Sequence, residues 1–228
     1  MADISRARVL IIDGEPLTRF GIAALVNLHP LLCVCGEAGD ARTGRVACEQ
    51  EMPDLIVLEL ELPGGDGIEL LRDFARLHPP ARAVVVSGRE DALSVQRAFR
   101  AGARGYVTKH EQAAELLAAL EQVFTGGIFA SERVAHLLVA DLAARRSPRG
   151  LGNLSALSDR ELLIFRRFGQ KHGTTAIARE LAVSVKTVET HQGRIKEKLG
   201  LANSAELHRR AEQWVAGTRT PVSTRRAA

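Results

Sequence analysis

The strongest constraint on this chain is a rhythm in its first half, where short apolar runs alternate five times with amphipathic segments. ARVLII, LLCVCGEA, LIVLEL, RAVVVS and GYVT read as strands, and helices are expected over about 16–28, 41–51, 67–78, 91–102 and 111–125. Strands this apolar are buried on both faces, which predicts a parallel sheet wrapped by helices with right-handed crossovers, a doubly wound (βα)5 unit. Such sheets carry their functional groups at the carboxyl ends of the strands, near the point where strand order reverses. Those ends hold Asp13, Glu59, Ser87 and Lys109. Loops beside helices are polar anyway, so residue type alone does not mark these four as a site.

The remainder reads as all-α. TGGIFASERVAHLLVADLAARR continues as an amphipathic helix, with Ser131 as its expected cap and Val134, Leu137, Leu138, Asp141 and Leu142 along one side. RRSPRGLGN, with Pro148, Gly150 and Gly152, is expected to be a flexible tether. Ser158 and Glu161 form a capping box for the next helix, whose Leu162, Phe165 and Phe168 suit a core. From Thr174 to Gly200 two short helices are joined by a tight turn. Thr174 is expected to cap the first, with Ile177, Ala178 and Leu181 on one face and a stop at Ala182-Val183. Ser184 is expected to cap the second, which turns Val188, Ile195 and Leu199 inward and ends at Gly200. Its other face carries Lys186, Thr190, Gly193 and Glu197, flanked by Glu189 and Arg194. A last helix starts at Ser204, with Leu207, Ala211, Trp214 and Val215 at helical spacing. An outward helix of this width fits the major groove of B-DNA, its N-terminal part reaching base edges.

Charge supports that division. Residues 1–140 hold 14 Lys and Arg against 19 Asp and Glu, a net of −5, whereas residues 141–228 hold 17 against 8, a net of +9. A cationic C-terminal domain beside an acidic N-terminal one suits a module that meets the phosphate backbone. No apolar run reaches the ~18 residues needed to span a bilayer, and the polar lead of MADISRARVLIID is unlike a signal peptide, so a cytoplasmic location without a membrane partner is expected. Cys33, Cys35 and Cys48 are odd in number and lack ligand spacing, so reduced thiols are expected, with no metal and no cofactor. Neither GxGxxG nor GxxxxGK[ST] follows a strand, which argues against an enzyme or a nucleotide site.

LSDRELLIFR, TTAIARELAVSVKTVETHQGRIKEKLGL and NSAELHRRA, spanning Leu154 to Trp214, resemble the DNA-binding domain of LuxR-type (NarL/FixJ) regulators. The resemblance implies that Glu189, Thr190 and Gly193 face the bases, that Lys186, Thr187, Arg194 and Lys196 approach phosphates, and that part of the last helix makes a dimer contact. Many members carry a basic residue at position 192 or 193, where this chain has Gln192 and Gly193. PDLIVLELELPGGDGIELL and AGARGYVTKH resemble the receiver domain of two-component response regulators over Arg8 to Thr125. The domains expected are thus a receiver-like unit over 1–127, a linker helix and tether over 128–153, a four-helix helix-turn-helix domain over 154–217 and a disordered tail over 218–228.

The receiver resemblance implies an acidic pair that holds magnesium, an acceptor aspartate, and a hydroxyl and a lysine on the phosphoryl oxygens, at positions held here by Asp13 and Gly14, Glu59, Ser87 and Lys109. Tyr106 matches the aromatic residue whose rotamer reports the switch. Gly14 brings no metal ligand, and Glu59 carries its carboxylate about 1.5 Å further out than aspartate would. Two readings follow: Glu59 pairs with Lys109 and Ser87 and partly imitates the phosphorylated state, or the receiver has lost its switch and serves as a dimerisation platform. The function expected is an atypical response regulator that binds duplex DNA as a homodimer, an unidentified protein or small molecule replacing the phosphoryl signal. The alternatives are an orthodox phosphorylated regulator, or an interaction adaptor that reads DNA weakly.

Overall fold

The computed structural model describes residues 6–78, 80–144 and 154–218 of the 228. The expected tether at 145–153 lies outside the described residues, as does the expected tail except for Thr218, which ends the last helix. The described residues fall into two compact units, 6–144 and 154–218, with Glu180–Ala182 grouped with the first.

The first unit alternates β1 (Ala7–Ile12), α1 (Pro16–Leu28), β2 (Leu32–Ala38), α2 (Ala41–Glu51), β3 (Leu55–Leu58), α3 (Gly67–Leu77), β4 (Arg82–Ser87), α4 (Ala92–Ala101), β5 (Ala103–Thr108) and α5 (Ala113–Phe124). Short acids start three of the helices. Asp40, Asp66 and Asp91 accept hydrogen bonds from the backbone N–H groups of Thr43, Ile68 and Ser94, satisfying donors that a helix start leaves open. These strands pair in parallel, in the order β2-β1-β3-β4-β5. Alternation along the strands builds two cores. Leu10, Ile12, Ile56 and Leu58 pack against α2, α3 and α4, whereas Val9, Ile11, Leu55 and Val57 pack against α1 and α5.

Three expectations need correction. β2 is an edge strand, so Cys33 to Gly36 are half-buried rather than enclosed on both faces. A sixth strand, β6 (Phe129–Ala130), pairs with Gly105 and Tyr106; two residues are too few to leave a period in the sequence. It leads into α6 (Glu132–Ala144), where Val134 is wholly buried in the core beneath α4, so the packing of this unit runs past residue 127. Ser131 does cap α6, its Oγ accepting from the Val134 N–H at 3.4 Å, but Leu142 at the far end is exposed. The three cysteines are free thiols, and burial pushes the Cys48 thiol up to about 11.

The second unit holds, among the described residues, four α-helices: α7 (Asp159–Gly169), α8 (Thr174–Glu180), α9 (Val185–Leu199) and α10 (Ser204–Thr218). Ser158 and Glu161 close their capping box, and Glu161 also receives Lys198 Nζ at 2.7 Å, fastening the start of α7 to the end of α9. α7 and α10 meet backbone to backbone at Gly169, where any Cβ would lie 2.4 Å from the Ala211 carbonyl oxygen. Trp214 closes the core with the Arg166 guanidinium 4.7 Å from its ring. The cap of α8 is not Thr174, which is the first helical residue; the Ile177 N–H donates to the Gly173 carbonyl one position earlier. Ala182, in the turn before α9, takes a left-handed conformation at φ 52°. No helix among the described residues is long and apolar enough to cross a membrane.

Candidate functional site

Strand order reverses between β1 and β3, and the polar residues of the first unit gather at the carboxyl ends there. Asp13 follows β1, Glu59 follows β3, Ser87 ends β4 and Lys109 follows β5, the last two joined by the Lys109 N–H to Ser87 carbonyl bond at 3.0 Å. Lys109 Nζ lies 2.9 Å from Glu59 Oε2, 2.8 Å from Asp13 Oδ2 and 3.1 Å from Glu15 Oε2. Glu59 Oε1 accepts from Ser87 Oγ at 2.5 Å and from the N–H groups of Leu60 and Glu61 at 2.6 and 3.0 Å. Asp13 Oδ1 accepts from the Glu15 N–H at 2.8 Å. Every carboxylate oxygen of the two buried acids is therefore engaged, as burial of a charge requires.

The electrostatics follow from that arrangement. Burial alone would lower Lys109, but the carboxylates of Glu59 and Asp13 outweigh it and hold the ammonium above its ordinary range. Glu15 is held below the usual carboxylate value, first by the Thr18 hydroxyl and then by Lys109. Tyr106 is wholly buried, which raises its phenol, and the hydroxyl donates to the Arg89 carbonyl at 2.8 Å. Gly14 sits at the rim under Pro63: a Cβ there would lie 2.7 Å from Pro63 Cδ, so a second acid does not fit without moving the ring. The centre of the three carboxylates is taken by an ammonium, and among the described residues no cluster of three His, Cys, Asp or Glu has the geometry of a metal site.

Sequence reasoning did not assign a place here to Glu61 and Arg89, nor to Glu15 as a partner of Lys109. Arg89 Nε donates to Glu61 Oε1 at 3.0 Å, and the guanidinium is buried. Glu61 lies two residues past Glu59 and Arg89 two past Ser87, so loop proximity to a strand end was the available signal.

The second constellation is on α9. Lys186, Glu189, Thr190, Gly193 and Arg194 are exposed, Thr187 and Lys196 are half-buried, and Val188 and Ile195 are fully buried beneath them. Thr187 belongs to the cap: its N–H donates to Ser184 Oγ at 3.0 Å and its hydroxyl pairs with the same atom at 2.8 Å. The Thr190 hydroxyl donates back to the Lys186 carbonyl at 2.8 Å. A Cβ at Gly193 would meet nothing within 4 Å, so the surface there is open. Two family models match the two units, one described as response regulator receiver domain over residues 9–121 and one as bacterial regulatory proteins, luxR family, over 155–211. The nitrate/nitrite response regulator protein NarL of Escherichia coli is 32% identical over 215 residues, 94% of this chain and 97% of its own. The chain belongs to the luxR-family response regulators. Salmonella typhimurium Fimbriae Z protein, 30% identical over 201 residues, matches this luxR-family regulator over 88% of its length and 94% of that protein. A two-component response regulator of the LuxR family from Aurantimonas superposes with a TM-score of 0.59 at 32% identity, covering 61% of this chain and 99% of the other. The RcsB response regulator of Salmonella typhimurium shares the fold over 95% of this chain and 100% of its own, with a TM-score of 0.71 at 23% identity.

Proposed function

We propose that this luxR-family response regulator controls transcription in the cytoplasm by binding duplex DNA through α9 as a homodimer, without a phosphoryl switch in its receiver pocket and without an enzymatic activity of its own. Structures of RcsB, a relative in fold, include an RcsB–DNA complex and one bound to promoter rprA, and the same helical unit here carries an exposed basic and polar face. The observation that carries the second half of the proposal is the saturation of Glu59. Its two oxygens are already taken by Ser87, two backbone N–H groups and Lys109. In-line phosphoryl transfer depends on alignment and charge neutralisation by a metal, and Gly14 under Pro63 supplies no acid at the position where the family resemblance expects one.

Glu59 touches the hydroxyl and the ammonium that the family resemblance assigns to the phosphoryl group, which favours a partial stand-in for the modified state. It carries about one negative charge against −1.5 to −2 for a phosphoryl group, so the imitation is incomplete. A protein or small molecule at the receiver then supplies whatever signal remains. Incubating the full-length protein with acetyl phosphate and magnesium, followed by intact mass measurement, is expected to show no added mass. A stable gain of one phosphoryl group that disappears in Glu59→Gln would overturn the reading.

A further inference from the structure

We infer that Glu189 is the specificity-determining residue of α9 and that it selects a cytosine in each half-site. The inference rests on the reading of α9 as the DNA-reading helix. Lys186 and Arg194 are donors only, and Thr190 has spent its hydroxyl proton on the Lys186 carbonyl, presenting chiefly its methyl group. Gly193 presents no side chain. Of these five exposed residues only Glu189 offers a strong side-chain acceptor, and among the described residues no hydrogen bond or ion pair engages its carboxylate.

A structural role does not account for it. With Ser184 as the cap, Glu189 is the fifth helical residue of α9, beyond the first turn in which an acid gains from the helix dipole. It remains within the N-terminal half of the helix, the part that reaches base edges, whereas the other exposed acid, Glu197, lies two turns further on. A carboxylate brought between two phosphate backbones is repelled unless a donor meets it. In the major groove guanine shows two acceptors and thymine an acceptor and a methyl group. Adenine shows a donor beside the N7 acceptor, which would face the second carboxylate oxygen. Cytosine shows the N4 amine with no acceptor next to it on its own edge, and an acceptor-only side chain is matched there.

Selection of duplexes from a random pool by the full-length protein, run in parallel with Glu189→Ala, Glu189→Gln and Glu189→Lys, tests this. The wild type is expected to enrich sites with a fixed cytosine, and replacing that base pair is expected to weaken binding by roughly 5- to 150-fold, the range of one mismatched pair. Glu189→Ala should abolish that preference alone and leave the other enriched positions in place, which also shows that the variant is folded. Glu189→Gln should move the preference to adenine and Glu189→Lys to guanine. An unchanged preference in Glu189→Ala, or a fixed base other than cytosine that depends on Glu189, overturns the assignment while DNA reading stands. A wild-type protein that enriches no sequence overturns the DNA reading itself, and this assignment with it.

Discussion

The two polar constellations of this chain differ in where their charges find partners. At the strand ends, Lys109 is met by three carboxylates and Glu59 by four donors, so the charges satisfy one another inside the protein. On α9, Lys186, Glu189 and Arg194 project into solvent without such partners among the described residues, over a floor of Val188 and Ile195 that is fully buried. A site whose charges are already paired and hydrogen-bonded is costly to break and has little left to offer an incoming anion. A face whose charges are unspent contributes little to stability and is free to bind. Substitutions should therefore separate cleanly, pocket changes appearing in the unfolding of the first unit and helix-face changes in DNA binding.

The largest effect is expected when a charge is put where none belongs. Val188→Asp places a carboxylate in a fully buried position under α9 and should cost about 4 kcal/mol or more, enough to unfold the helical unit. Calorimetry should then lose the transition of the second unit and keep that of the first. Lys109→Met removes the cation that Asp13 and Glu59 share and leaves two buried acids facing each other, which should destabilise the first unit by about 3–5 kcal/mol in urea unfolding. DNA affinity per folded molecule should change little.

A smaller loss is expected at the fastening between α7 and α9. Burial alone would raise Glu161, but Lys198 and the Ser158 N–H outweigh it and hold the carboxyl below its ordinary 4.5. Because the folded-state value lies below that of the unfolded chain, the stabilisation is whole above 4.5 and is lost as pH falls through the folded value. Glu161→Gln should cost about 1 kcal/mol at neutral pH, and the second unit of this variant should show a flatter loss of stability on acidification. The smallest effect on stability belongs to the outward face. Arg194→Ala should stay within about 0.5 kcal/mol of the wild type in unfolding, yet reduce the slope of log K against log salt by roughly 1 for cognate and random duplexes alike.

Much of this contrast was legible in the sequence. The two-residue period of the strands and the 3.6-residue period of the helices are long signals, and they led to Asp13, Glu59, Ser87 and Lys109 at strand ends and to Val188 and Ile195 beneath α9. What escaped depends on short or three-dimensional causes. β6 is two residues held by one neighbour, and the start of α8 at Gly173 rests on a single carbonyl. Glu15 reaches Lys109 across 94 residues of chain, a distance no local pattern spans. The Thr190 hydroxyl could equally have pointed outward by its type, and only the helix geometry shows it turned back to Lys186.

The claim that ties these regions together is that DNA binding does not wait on the receiver pocket, and it is tested most directly by measuring binding of the full-length protein to its own selected duplex with and without beryllofluoride and magnesium. Saturation of Glu59 predicts the same Kd and the same oligomeric state in both conditions. Tighter binding by tenfold or more with the phosphoryl mimic, abolished in Glu59→Gln, would contradict it.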